Sequence, residues 1–235
     1  MSRKTGARQK LVVALDGDSL VRAQEMVELL RGDVVNFEVG IELFTACGPG
    51  VIEMIREAEC QVFLDLKYHD IPSTVAKAVA CATRLGVALL NIHASGGARM
   101  MEEARNAVAQ AAGTTPPKLI AATVLTSMES LGDIGVQFEV REQVVRLAQL
   151  ARDMGMDGVN ASPLEIQMIR QTCGEHFLIV TPGIRMAGER PDDQRRIGHP
   201  RQAIEAGADY LVVGRPITEA PDPRAVVKAI LRDIG

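Results

Sequence analysis

Three residues within one short run carry the most chemical content of the chain: Asp65, Lys67 and Asp70, in Asp65-Leu66-Lys67-Tyr68-His69-Asp70. Side chains alternate along an extended strand, so Asp65 and Lys67 are expected on one side of it. A lysine held among carboxylates keeps its proton, because nearby negative charge favours the cation. Such a lysine is a proton donor rather than a nucleophile. A partly buried ion pair is costly unless it is hydrogen-bonded or put to use. On spacing alone, a stabilising salt bridge at a sheet rim is the alternative.

Two further runs have the composition of an anion site: Thr181-Pro182-Gly183-Ile184-Arg185 and Val212-Val213-Gly214-Arg215-Pro216. Glycine lets backbone N–H groups approach an anion, and arginine offers a two-pronged fork to phosphate. Arg185 and Arg215 are the candidate phosphate ligands. His69 and His93 read as structural, hydrogen-bonded histidines, since no His/carboxylate pair stands at metal-ligand spacing. Cys47, Cys60, Cys81 and Cys173 match neither a zinc pattern nor Cys-x-x-Cys, and read as free thiols of a reducing cytoplasm. No metal is expected.

The elements that must position these groups are visible as short apolar runs at 11–15, 34–39, 62–66, 88–93, 119–124, 158–161, 177–181 and 210–213. They are rich in Val, Ile and Leu, as strands buried on both faces are. Helical periodicity fills the gaps between them. Eight strand–helix units in 235 residues imply an α/β fold, a single (β/α)8 TIM barrel over 11–235, with residues 1–10 as a loose, basic leader. A doubly wound open sheet is the alternative.

Polar residues gather where the strands end. Asp16, Glu38, Asp65 with Lys67, Asn91 with His93, Thr126 with Ser127, Asn160 with Ser162, Thr181, and Gly214 with Arg215 follow this rule. In a barrel these ends share one mouth, and the loops after the last two strands often hold phosphate. A net charge of −4, no Trp and 3% aromatics argue against a nucleic-acid polymer as partner. No apolar stretch is long enough to span a membrane.

Together these stretches resemble orotidine 5′-phosphate decarboxylase of the bacterial type, from about Leu11 to Ile230. The most specific matches are Phe63-Leu64-Asp65-Leu66-Lys67-Tyr68-His69-Asp70-Ile71-Pro72-Ser73-Thr74, Val124-Leu125-Thr126-Ser127-Met128, the run ending at Arg185, Asp193-Gln194-Arg195-Arg196 and Val213-Gly214-Arg215-Pro216-Ile217. The resemblance implies a cofactor-free homodimer of barrels, found in the cytoplasm, that converts orotidine 5′-monophosphate to UMP. It implies that Lys67 protonates C6 of the pyrimidine as CO2 leaves, with Asp65 against the substrate carboxylate. Asp16 would hold the ribose hydroxyls, and Thr126 and Ser127 would contact the pyrimidine. Arg185, Gln194, Gly214 and Arg215 would hold the phosphate, with Pro182 and Glu38 also lining the substrate site. Asp70, Ile71 and Thr74 would reach into the partner's site.

One position departs from the family. Glu38, in Asn36-Phe37-Glu38-Val39-Gly40, stands where the family has Lys. A Lys, Asp, Lys, Asp alternation becomes Glu38, Asp65, Lys67, Asp70, and crowded carboxylates raise a pKa. Tyr68, Ser73 and His199 are smaller departures. Glutamate here also resembles the related Mg²⁺-dependent sugar-phosphate decarboxylases and aldolases, whose other motifs this chain does not follow. A nucleotide-binding barrel with activity impaired by Glu38 is the third expectation.

Overall fold

The computed structural model describes residues 6–111, 113, 115–186 and 195–235. In chain order its elements are α1 (Ala7–Lys10), β1 (Leu11–Leu15), α2 (Leu20–Leu30), β2 (Asn36–Gly40), α3 (Ile41–Cys47), α4 (Gly50–Glu57), β3 (Gln61–Tyr68), α5 (Pro72–Arg84), β4 (Leu89–His93), α6 (Gly97–Ala111), β5 (Lys118–Ala122), α7 (Val140–Asp153), β6 (Gly158–Asn160), α8 (Ile166–Cys173), β7 (Leu178–Thr181), α9 (Pro200–Ala206), β8 (Tyr210–Val213), α10 (Arg215–Thr218) and α11 (Pro223–Ile234). The strands pair in parallel in sequence order, and β8 closes on β1. The closed ring excludes the open-sheet alternative. All eight strands fall on the apolar runs of the sequence.

Alternation within the strands divides the core in two. Val12, Ala14, Phe63, Leu89, Ile120, Val180 and Val212 fill the barrel interior. Their neighbours Leu11, Val13, Leu15, Phe37, Val39 and Leu64 face outward, where they pack with the helices. The inward set continues upward into the polar residues. Ala14 is followed two positions later by Asp16, Phe63 by Asp65, Leu89 by Asn91 and Val212 by Gly214. The apolar plug is thus the floor of the mouth.

Helix starts follow ordinary chemistry. Ser19 accepts the Arg22 N–H at 3.4 Å before α2, and Asp222 accepts that of Ala225 at 3.0 Å before α11. Pro72 occupies the first turn of α5, where its missing N–H costs nothing. Part of the stretch read as a leader, Ala7–Lys10, is one helical turn, and the Asn36 amide donates to the Gln9 carbonyl at 2.9 Å. Among the described residues no helix is long and apolar enough to cross a membrane.

Candidate active site

The upper end of β3 is irregular. Its pairing with β4 shifts register between Leu64 and Tyr68, and Lys67 has φ +48°. A side chain in that left-handed region costs roughly 1–2 kcal/mol. The alternation argument therefore holds for Asp65 and breaks at Lys67: a bulge, rather than the pleat, aims the lysine. Bulges commonly re-aim a side chain beside an active site. The expected pair nonetheless forms, with Lys67 Nζ donating to Asp65 Oδ2.

Asn91 of β4 binds both partners. Its Oδ1 accepts the Lys67 backbone N–H at 2.8 Å, and its Nδ2 donates to Asp65 Oδ1. The residue is completely buried. The sequence placed Asn91 at a strand end without giving it a role. The available signal was an amide within Leu89-Leu90-Asn91-Ile92, since a buried amide must find partners.

Glu38 lies one layer deeper. In the register it pairs with Ala14 and Phe63, whereas Asp65 pairs with Gly40. It lines two adjoining cavities and is half-buried below the rim. Burial, and then the Asp65 charge, push its carboxyl well above the usual carboxylate range; Lys67 offsets this in part, and Asp16 adds to it. The acidic imbalance expected from sequence is thus present, and its largest cause is depth.

The two cavities share Glu38 and Pro182. One, of about 160 Å³, is walled by Asp65, Lys67, Thr126 and Asn160. The other, of about 360 Å³, is walled by Asp16, Gly183, Arg185, Gly214 and Arg215. A Cβ on Gly214 would stand 2.6 Å from Asp16 Oδ2, so any larger residue there would displace that carboxylate. Arg185 is buried and donates to the Ile184 carbonyl at 3.0 Å. Lys67, three carboxylates and both candidate phosphate arginines therefore line two cavities that meet at Glu38 and Pro182. Outside them, a cleft of about 650 Å³ between α2 and α10 shares Asp16 and Arg215 but does not reach Lys67.

A buried strut joins the two sides of the mouth. Arg196 pairs with Glu165 at 2.8 Å and donates to the Val124 and Leu125 carbonyls at 2.9 and 3.0 Å. Ser162 completes the Glu165 carboxylate with a 2.5 Å hydrogen bond. The Arg195 N–H donates to the Thr126 carbonyl at 3.3 Å. The chain beyond β7 is thereby tied to the loop after β5. Ser127 lies exposed on that loop, at the rim rather than against either cavity. Gln194 falls outside the described residues.

Asp70, Ile71 and Thr74 do not line these cavities. Asp70 is exposed, and its Oδ1 accepts the Ile71 N–H at 2.6 Å. Asp70 and Thr74 line a separate hollow of about 330 Å³ with Lys67 and His69. Ile71 is 65% exposed and Ile41 66%. His93 packs its ring 5.3 Å from that of His69, and its buried Nδ1 has no hydrogen-bond partner. The expectation of a hydrogen-bonded histidine fails at that atom. Burial, then His69 and Lys67, lower the His93 pKa. All four cysteines are free thiols. Among the described residues, no three His, Cys, Asp or Glu side chains group as a metal site.

Comparison with known proteins agrees in sequence and in fold. A profile described as "Orotidine 5'-phosphate decarboxylase / HUMPS family" matches residues 9–230. An orotidine 5′-phosphate decarboxylase of Pelobacter propionicus is 53% identical over 230 residues, covering 97% of this chain and 96% of that protein. One of Moorella thermoacetica is 49% identical over 234 residues, covering 97% and 93%. The crystal structure of the Lactobacillus acidophilus orotidine 5′-phosphate decarboxylase superposes with a TM-score of 0.86 at 36% identity, covering 97% of this chain and 99% of that one.

Proposed function

The chain belongs to the orotidine 5′-phosphate decarboxylase / HUMPS family, and from that premise we propose that it decarboxylates orotidine 5′-monophosphate to UMP, in pyrimidine biosynthesis, without a cofactor. The observation that carries the reading is the cavity pair. The Lys67–Asp65 ion pair lines one cavity, and Glu38 and Pro182 form the wall it shares with the cavity of Arg185 and Arg215.

The chemistry follows from where charge develops. The C6–carboxylate bond breaks, CO2 leaves, and the bonding electron pair stays on C6. Lys67 holds its ammonium where that charge appears and transfers a proton to C6; solvent then reprotonates it. Stabilising developing charge with fixed groups in a site shielded from water is the strongest single device enzymes use. Asp65 stands against the departing carboxylate and, with Asn91, fixes the ammonium. Arg185, Gly214, Arg215 and Gln194 hold the phosphate, whose binding energy can then be expressed in the transition state. Asp16 takes the ribose hydroxyls, and Thr126, Ser127 and Pro182 flank the base.

The active unit in this reading is a homodimer. Asp70, Ile71 and Thr74 project into the partner's site, which accounts for an exposed carboxylate and an exposed isoleucine beside the mouth. The four free thiols fit a cytoplasmic enzyme.

Glu38 favours one second reading, a barrel that binds nucleotide but turns over poorly. Loss of orotate absorbance on adding orotidine 5′-monophosphate to the purified protein, unchanged by EDTA, supports the decarboxylase. Tight UMP binding without turnover supports the second reading. Activity appearing only with Mg²⁺ on a sugar phosphate would overturn both.

A further inference from the structure

We infer that Asn91 is a positioning residue for the proton-transfer step: it latches the bulge of β3, so that Lys67 is held in its left-handed conformation against Asp65. The inference rests on the decarboxylase reading for its kinetic consequence, and on geometry alone for its structural one.

Three observations converge on it. Lys67 is one of two described non-glycine residues with positive φ; the other, Glu59, lies in the turn before β3 begins. A left-handed lysine persists only where its surroundings impose it. Asn91 supplies that constraint, because its Oδ1 accepts the Lys67 N–H at 2.8 Å at the register shift between β3 and β4. The same amide turns its Nδ2 to Asp65 Oδ1, while Lys67 Nζ takes Oδ2. One side chain therefore sets the lysine backbone and the carboxylate that orients the lysine tip. Asn91 is completely buried, so solvent cannot substitute for either contact. Its amide has both a donor and an acceptor in use, a pairing that an isosteric carboxylate cannot reproduce at neutral pH.

Asn91 does not touch the space assigned to substrate, so its removal acts through Lys67 and Asp65. In Asn91→Ala, kcat falls about 100-fold, the scale expected for misplacing a catalytic group by about an ångström. UMP affinity stays within about threefold. Asn91→Asp is the second, isosteric variant. At neutral pH the introduced carboxylate still accepts the Lys67 N–H but repels Asp65. As pH falls the carboxyl gains a proton, can donate to Asp65, and activity rises relative to wild type at the same pH. A purely structural role gives no such acid rescue. A crystal structure of Asn91→Ala is the third reading, with Lys67 expected to return to negative φ.

The inference is overturned if Asn91→Ala keeps kcat within about threefold, if kcat and UMP affinity fall together, or if Asn91→Asp shows no acid rescue. Wild type is assayed alongside. If wild type itself has no activity on orotidine 5′-monophosphate, the decarboxylase reading fails. The crystal structure then decides the latch by itself: retention of φ near +48° without Asn91 would refute it.

Discussion

The two ends of the barrel use the same residue types for opposite ends. At the lower end, acids are saturated by the chain around them. Asp157 accepts Lys118 Nζ at 2.7 Å and the Leu119 N–H at 2.9 Å. Asp209 accepts the Ile179 N–H at 2.8 Å and pairs with Arg170, which also donates to the Gly207 and Gly174 carbonyls at 2.9 and 3.1 Å. At the mouth, Glu38 feels the Asp65 and Asp16 charges with Lys67 offsetting them. Among the described residues, four of the five buried side-chain atoms without a partner, on His93, Asn160, Thr181 and Arg196, lie at or above the upper strand ends, and the fifth, on Asn36, belongs to the lower end. Of these residues Asn160 lines the cavity that holds Lys67, where a polar ligand could supply the missing partner.

The largest test of this contrast is Lys67→Ala. Turnover should fall by about 10⁴-fold or more, while UMP binding remains measurable and the melting temperature does not drop. Substantial residual activity in a stopped assay would remove Lys67 as proton donor. The reciprocal change is Arg170→Met. It leaves kcat unaltered but costs about 3 kcal/mol through the lost hydrogen bonds of Arg170 to Asp209 and to the Gly207 and Gly174 carbonyls, which lowers Tm by roughly 6–12 °C in a chain of this size. If scanning calorimetry finds no loss, the lower end is not the stability end.

Glu38→Lys sharpens the comparison at intermediate scale. Restoring alternating charge should raise kcat/KM by about tenfold, one charge–charge contact's worth at the mouth. A flat or lowered value means that Glu38 does something the charge argument omits. Glu38→Gln has the smallest effect and a definite sign. Because the folded-state pKa of Glu38 is raised, its favourable contribution is full below the ordinary glutamate pKa and is lost as pH rises through the folded value. The variant lacks that titration. Its Tm should therefore exceed wild type by a margin that widens with pH, at about 2–4 °C per kcal/mol. A margin independent of pH would show that Glu38 does not titrate abnormally.

The fold was legible because its signal is periodic. Eight Val/Ile/Leu runs with polar ends favour a closed parallel barrel over an open sheet, and each strand fell where its run lies. That Arg185 and Arg215 share one cavity at the mouth was legible as well, since both stand in glycine-containing runs at adjacent strand ends. Two things were not. The left-handed turn at Lys67 leaves no mark, because lysine has no preference for that region and the strand pattern reads through it. The Arg196–Glu165 strut joins residues 31 apart, in two loops that no period links. Glu38 was visible as an oddity, but its depth came only from the register that sets it beside Phe63.

The bulge at Lys67 has a consequence for how this molecule would respond to selection. Glycine would adopt that backbone conformation without strain, so Lys67→Gly should leave a chain at least as durable as its parent. A screen that rewards heat tolerance alone would drift toward such a barrel, intact and inert. Only a screen that also demands product would keep the lysine, which makes position 67 a place where durability and work are in direct competition.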